Sequence, residues 1–183
     1  MQLDTPIHSG NIVLRTMCPA EASPAYLGWL SDPAINAYLE VRFNPPDSVS
    51  ELETYIADTN ASFDTLLLGI FLADSALHIG NIKLGPIDWN HRVGDLGFFI
   101  GDREQWGKGY ASKAIALLSD YAFIQLELVK LTAGCYADNE GSRRALQKVG
   151  FMEEGRRTIQ YAAANSRQDA ILLGRVNPRH GIS

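Results

Sequence analysis

Apolar positions along this chain change their spacing at Thr65, from helical recurrence before it to short strand-like blocks after it. The run Ile12-Val13-Leu14, broken by Arg15, predicts a first strand over Asn11 to Met17. Ala20 to Leu30 is expected to be helical, with Tyr26, Trp29 and Leu30 on one side. Pro24 sits near its start, where a missing N–H does little harm. Asp32-Pro33 restarts a short helix to Leu39, with Asp32 as cap. Asn44-Pro-Pro-Asp47 is a break. Ser48, with Glu51 three residues on, is a capping box for a third helix whose Val49, Leu52, Tyr55 and Ile56 are expected to face inward.

After Thr65, Leu66 to Ala73 and Leu77 to Leu84 read as antiparallel strands joined through Asp74-Ser75-Ala76. A loop from Gly85 to Arg92 leads to a strand from Val93 to Ile100, then to a glycine turn. The turn opens a helix whose apolar side is Ala111, Ala114, Ile115, Leu118, Tyr121 and Ala122, with its regular run from Lys113 to Phe123. A strand from Leu128 to Tyr136 follows. The next helix is short, capped by Asn139 and stopped by Gly150, with Ala145, Leu146 and Val149 as its apolar side. Thr158 to Ala162 and Asp169 to Leu173 predict a closing hairpin, and Asn177 onward a frayed tail. The unit from Val93 to Tyr136 is expected to be a right-handed crossover with parallel strands. Its helix N-terminus and Asn139 then meet at the carboxyl ends of those strands, where α/β sheets bind ligands.

The chemistry concentrates in Arg103-Glu-Gln-Trp-Gly107-Lys-Gly109-Tyr-Ala-Ser112. Glycines just ahead of a helix leave its first N–H groups bare, and with the positive end of the helix dipole these suit a phosphate. The plainer reading is that Gly107 and Gly109 let the helix pack closely on the sheet. The nucleoside-triphosphate loop does not fit, because five residues separate Gly101 from Gly107 and glycine follows Lys108. A dinucleotide fingerprint would need glycine or alanine at Ser112, although Glu127 stands at a tolerable distance for a ribose contact. Glu104-Gln-Trp-Gly107-Lys-Gly109 resembles the pyrophosphate loop of coenzyme A-dependent N-acetyltransferases, with Glu104 where that loop carries Gln or Arg.

The later stretch Asn139-Glu-Gly-Ser142 followed by Lys148-Val-Gly150-Phe151 completes the pair of motifs. Together they resemble the GNAT superfamily of N-acetyltransferases, in particular the RimJ/RimL branch of ribosomal-protein alanine acetyltransferases, from roughly Ile12 to Arg156. The resemblance implies an α/β fold with a mixed sheet, mostly antiparallel and twisted, with one parallel strand pair and flanking helices. One such domain would occupy residues 1–183. Acetyl-coenzyme A would lie with its pyrophosphate over Gln105, Trp106, Gly107, Lys108, Gly109, Tyr110 and Ala111. Its pantetheine arm would pair with backbone near Phe99 and Ile100 and be held by Asn139. Lys108 is equally readable as a solvated surface lysine, and Asn139 as an ordinary cap.

The implied reaction is direct attack of an amine on the thioester, which calls for a base, oxyanion donors and an acid for the thiolate. Ser142 matches the serine assigned as acid in that branch, while Leu146 stands in the general position of the tyrosine that many other members use. Asp95 shares a strand face with Val93, Gly97 and Phe99 and is the candidate base; His91, Glu40 and direct loss to solvent are the others. The acceptor would be held by Pro33 to Asp47 and Arg157 to Gln168, with Trp29, Tyr38, Phe43 and Trp89 as candidate lining. A protein N-terminus or a small-molecule amine, including a polyamine, an aminoglycoside or a nucleotide-linked amino sugar, remains open. Outside catalysis, the same motifs would serve a silent coenzyme A-binding sensor.

Composition narrows the partners. At 183 residues the chain suits one filled α/β core. A net charge of −5 argues against a nucleic-acid face. Cys18 and Cys135 are isolated, so no metal or disulfide framework is suggested. Leu66 to Ala73, the longest apolar-rich stretch, is too short to span a bilayer, and Met1 to Gly10 lacks a signal-peptide pattern. A cytoplasmic enzyme, monomer or homodimer, without membrane contact, is the expectation.

Overall fold

Caps written in the sequence set the early helices of the computed structural model, which describes residues 1–163 and 166–180. Two short strands, β1 (Ile7–Ser9) and β2 (Ile12–Thr16), precede them. Ser23 Oγ accepts from the Tyr26 N–H to open α1 (Pro24–Ser31), and Asp32 does the same for Ala34 in α2 (Pro33–Asn36). In α3 (Val49–Ala61) the Ser48 hydroxyl accepts from Glu51 N–H at 3.2 Å, while the Glu51 carboxylate reaches back to Asp47 N–H at 2.9 Å. The predicted capping box is thus made one residue wider than its simplest form.

The strands β3 (Leu66–Leu72), β4 (His78–Asp88), β5 (Val93–Ile100), β6 (Lys130–Tyr136), β7 (Met152–Ala162) and β8 (Arg167–Val176) complete the sheet. Its order is β1-β2-β3-β4-β5-β6-β8-β7. Every neighbouring pair is antiparallel except β5 and β6, as the mixed-sheet reading requires. Between β5 and β6 runs α4 (Tyr110–Ile124), and α5 (Glu140–Gln147) follows β6. Ala114, Ile115, Leu118 and Ala122 of α4 pack with Leu131, Ala133, Leu146 and Phe151 over one face. On the other, Tyr26 and Leu30 of α1 and Leu52 and Ile56 of α3 pack against Met17, Leu67 and Phe71.

Several expectations shift. The first half of the segment read as a loop from Gly85 is strand: β4 breaks register after Leu84, and Ile87 and Asp88 rejoin opposite Gly94 and Val93. A bulge absorbs the Gly85-Pro86 irregularity without ending the ladder. The helix after the glycines begins at Tyr110, three residues before its regular apolar run. Tyr55, expected to face inward, is 45% exposed, because the α3 stripe that reaches the sheet is only Leu52 and Ile56. The tail reading at Asn177 is overturned. Asn177 is buried, its amide donates to Leu128 O at 2.9 Å and Phe123 O at 3.4 Å, and its N–H reaches Val129 O. Residues 181–183 of that tail lie outside the described part. Among the described residues no helix is long and apolar enough to cross a membrane.

Asn177→Ala leaves two buried carbonyls short of donors, and about 1–3 kcal/mol of stability should be lost. Leu118→Ala, which opens a void between α4 and the sheet, should cost about 2–5 kcal/mol. Urea denaturation at neutral pH measures both.

Candidate functional site

The parallel ladder between β5 and β6 is short: Val93, Gly94 and Asp95 pair with Lys130, Leu131 and Thr132, and there it stops. Beyond that point β5 keeps pairing with β4 up to Ile100, and β6 with β8 up to Tyr136, so the two strands part in a wedge. The direction of the backbone in the wedge follows from alternation. Val129 N–H donates to Arg92 O and Gly101 N–H donates to Ile79 O, which turns even-numbered residues of β5 toward β6 and odd-numbered ones toward β4. Leu96, Phe98 and Ile100 therefore hold their N–H and C=O groups toward the gap. Phe99, expected to offer backbone to an arm, turns it to Asn81 of β4, whereas Phe98 turns its backbone toward the gap. Ile100 keeps its N–H on the open side, while its carbonyl accepts from Trp106 Nε1 at 2.8 Å.

The glycine turn lies just past the wedge. Gly107 and Gly109 have φ of +73° and +79°, and a Cβ at either would meet nothing within 4 Å. Close helix–sheet packing is therefore not what requires them; the left-handed backbone is. Gly109 caps α4 without a side chain, which leaves the first N–H groups of the helix uncovered. Asp102 holds the approach by accepting from Glu104 N–H and Gln105 Nε2, and Lys108 Nζ donates to Gln105 Oε1 at 3.0 Å. Trp106 is 44% exposed beside them, and Tyr110 and Ala111 begin the helix. At the other edge, Asn139 caps α5 by accepting from Ser142 N–H at 3.1 Å, and among the described residues its amide N–H groups meet no acceptor. These features fit coenzyme A in kind: backbone donors where a strand-like arm would lie, and an open helix end for phosphates.

Asp95, Phe99, Asn139 and Ser142 come together on one cleft of about 910 Å³, with Leu146 and Cys135. It passes through the wedge and joins the α5 side of the sheet to the opposite face. Glu40 also lines it; His91 does not, its N–H being turned to Asp88. Trp89 points away to Phe63 O, and Trp29 packs against His78, Tyr26 and Phe99. Asp95 accepts from Thr132 Oγ1 at 2.7 Å. The protein walls around it push its carboxyl above the usual range, and the Thr132 hydroxyl and the Lys83 ammonium partly offset this. Water still reaches Asp95 from the cleft mouth.

A smaller cavity of about 530 Å³ adjoins, lined by Tyr38, Arg42, Phe43, Tyr136 and Ala162 among others. The expected acceptor segments thus do form a pocket, although residues 164 and 165 of the second lie outside the described part. By sequence alone Tyr136 is a strand end. It donates to Glu40 Oε1 at 3.0 Å, accepts from Arg42 Nη2 at 2.9 Å and stacks on Tyr161. Burial, the Glu40 hydrogen bond and the Glu40 charge push its hydroxyl up to about 12. Alternation from Thr132 would have placed Tyr136 on the face of Asp95, but only with the β5–β6 register in hand.

Residues 11–152 match the family described as the acetyltransferase (GNAT) domain. The uncharacterized N-acetyltransferase p20 of Bacillus licheniformis is 27% identical over 150 residues, 81% of this chain and 83% of that one. Spermidine N-acetyltransferase from Vibrio cholerae, solved with CoA and spermine, superposes with a TM-score of 0.83 at 22% identity, covering 94% of this chain and 99% of that one. Ribosomal-protein-S5-alanine acetyltransferase from Vibrio fischeri gives 0.80 at 18%, covering 98% and 100%.

The raised Asp95 carboxyl has a consequence for stability. Its unfolded form ionises first as pH rises, so ionisation weakens the fold between the ordinary carboxylate pKa and the raised one. Asp95→Asn should therefore be more stable than the parent in urea at pH 7. The difference should vanish at pH values below the ordinary carboxylate pKa, where both are neutral.

Proposed function

This chain belongs to the acetyltransferase (GNAT) family, and from that membership we propose that it acetylates a primary amine held in the cleft between Asp95 and Ser142. Acetyl-coenzyme A supplies an activated thioester; the chain's own residues bind, orient and move protons. The observation that carries the reading is the parting of β5 from β6 beside an uncovered helix start, with Asp95 and Ser142 lining a cleft that passes through that gap.

In this reading, Phe98 and Ile100 offer backbone groups to the pantetheine arm and the Asn139 amide holds one of its carbonyls. The N–H groups from Gly109 onward take the pyrophosphate, with Lys108 nearby. Asp95, carrying a raised pKa, draws a proton from the acceptor ammonium directly or through water. The amine nitrogen bonds to the acetyl carbon and gives up its second proton to water in the cleft, the carbon–sulfur bond breaks, and the Ser142 hydroxyl protonates the departing thiolate. Ser142 recovers its proton from solvent.

The acceptor is taken to be a protein α-amine or a small amine. Relatives named for spermidine and for a ribosomal protein support both classes, and Glu40 and Asp95 give the cleft the negative charge either would need. Cleft charge alone does not separate them, so a panel should: alanine-start peptides, spermine and spermidine, aminoglycosides and amino-sugar nucleotides, read by free-thiol release.

Calorimetry with acetyl-coenzyme A should show binding that Gly109→Trp abolishes, since a side chain there strains the backbone and fills the phosphate space. Ser142→Ala should bind it normally and turn over roughly 10²-fold or more slowly with the best panel amine. Binding without turnover of any amine would instead identify a sensor, and absence of binding would sink the reading.

A further inference from the structure

Strand β7 leaves regular pairing with β8 between Arg157 and Tyr161. Within that irregularity Ile159 has φ of +56°. This is left-handed backbone, where a β-branched side chain crowds the neighbouring carbonyl. The Ile159 side chain is 63% exposed, so burial does not hold it there. Polar contacts do. Asp169 on β8 accepts from Ile159 N–H at 2.8 Å and from Arg156 Nε at 2.6 Å. Arg167 donates to Ile159 O at 3.1 Å and to Gln160 O at 3.3 Å. The Ile159 N–H, then Arg156, hold the Asp169 carboxyl below its usual pKa.

A bulge re-aims whatever follows it. Here Tyr161 re-enters the ladder opposite Gln168 with its ring stacked on Tyr136, centroids 4.1 Å apart and planes 19° from parallel. Its hydroxyl lies over Gly134: a Cβ at that position would stand 3.4 Å from it. Gly134 lines the same cleft as Asp95, Glu40 and Ser142. Without a side chain at 134, a phenol from the sheet's far edge reaches toward the wedge.

We infer that Tyr161 positions the acceptor amine at the transfer site, and that Asp169, by clamping the strained turn at Ile159, holds it there. This rests on the acetyltransferase reading above. The hydroxyl accepts a hydrogen bond from the acceptor nitrogen while Glu40 and Asp95 supply the charge. Burial raises the Tyr161 pKa, followed by the charges of Glu40, Cys135 and Asp95, with Arg157 opposing, so the phenol stays neutral near pH 7.

Glycine adopts the Ile159 conformation freely and needs no clamp, which supplies a rescue. In full-length protein, the ultraviolet phenol titration of the parent minus that of Tyr161→Phe isolates the Tyr161 step, expected above the ordinary tyrosine pKa. Asp169→Ala should return this step toward the ordinary value, and Asp169→Ala/Ile159→Gly should raise it again. With the fastest amine of the panel, Tyr161→Phe and Asp169→Ala should raise acceptor KM about tenfold, with acetyl-coenzyme A Kd unchanged. The double variant should recover most of it.

An unchanged acceptor KM in Tyr161→Phe would overturn the role of Tyr161. Failure of Ile159→Gly to restore titration and KM would overturn the clamp. If no panel amine turns over, the acetyltransferase reading and the acceptor role fall together, while the titration still reads the clamp separately.

Discussion

A sheet that opens between two of its own strands must do something with the hydrogen-bonding groups it exposes. Here β5 and β6 share a ladder only as far as Asp95 and Thr132 and then separate, each remaining paired on its outer side. Unpaired backbone groups in a protein interior are costly unless water or a ligand meets them. The wedge lets a ligand complete the sheet, and the remaining features of the site follow from where it lies. α4 must start at its rim because the crossover leaves β5 there, and α5 must start at the opposite rim because it leaves β6 there. The uncovered helix start, the Asn139 cap and Ser142 are brought together by that one topological fact.

The two faces of the sheet contribute differently. On one, α4 and α5 supply packing, helix ends and backbone donors. On the other, α1 and α3 stop short of β6, so the surface carrying Asp95, Thr132, Gly134 and Tyr136 stays open and is walled instead by the Glu40–Phe43 segment and the β7–β8 hairpin. Arg42 ties those walls together, donating to Ala37 O, to Ala162 O and to the Tyr136 hydroxyl. Tyr136 sits at the junction of chain segments that are 120 residues apart in sequence.

Much of this was legible because it depends on local rules. Ser48, Asp32 and Asn139 mark helix starts through side-chain oxygens, and each does so where expected. Val93 to Ile100 and the parallel pairing follow from strand–helix–strand connectivity. The misreadings share a cause. Gly85-Pro86 looked like the end of a strand because a bulge and a turn use the same residues. Asn177 looked like a tail because its partners, Phe123 and Leu128, are some fifty residues away. At Phe98 and Phe99, side-chain alternation is visible in a sequence, whereas the direction of the backbone groups depends on which neighbour each strand takes. The left-handed backbone at Ile159 left no mark in the sequence, because no propensity favours a β-branched residue there.

The contrast between the two sides of the wedge bears on how such a protein changes over generations. The groups on the α4 side are main-chain amides, present whatever the side chains, and only Gly107 and Gly109 are pinned by their dihedral angles. The groups on the open face are side chains on a short segment and an edge hairpin, where single substitutions at Glu40, Arg42 or Tyr161 redraw the surface without touching the core. Descendants of one ancestor can therefore diverge on the open face while inheriting the other side intact.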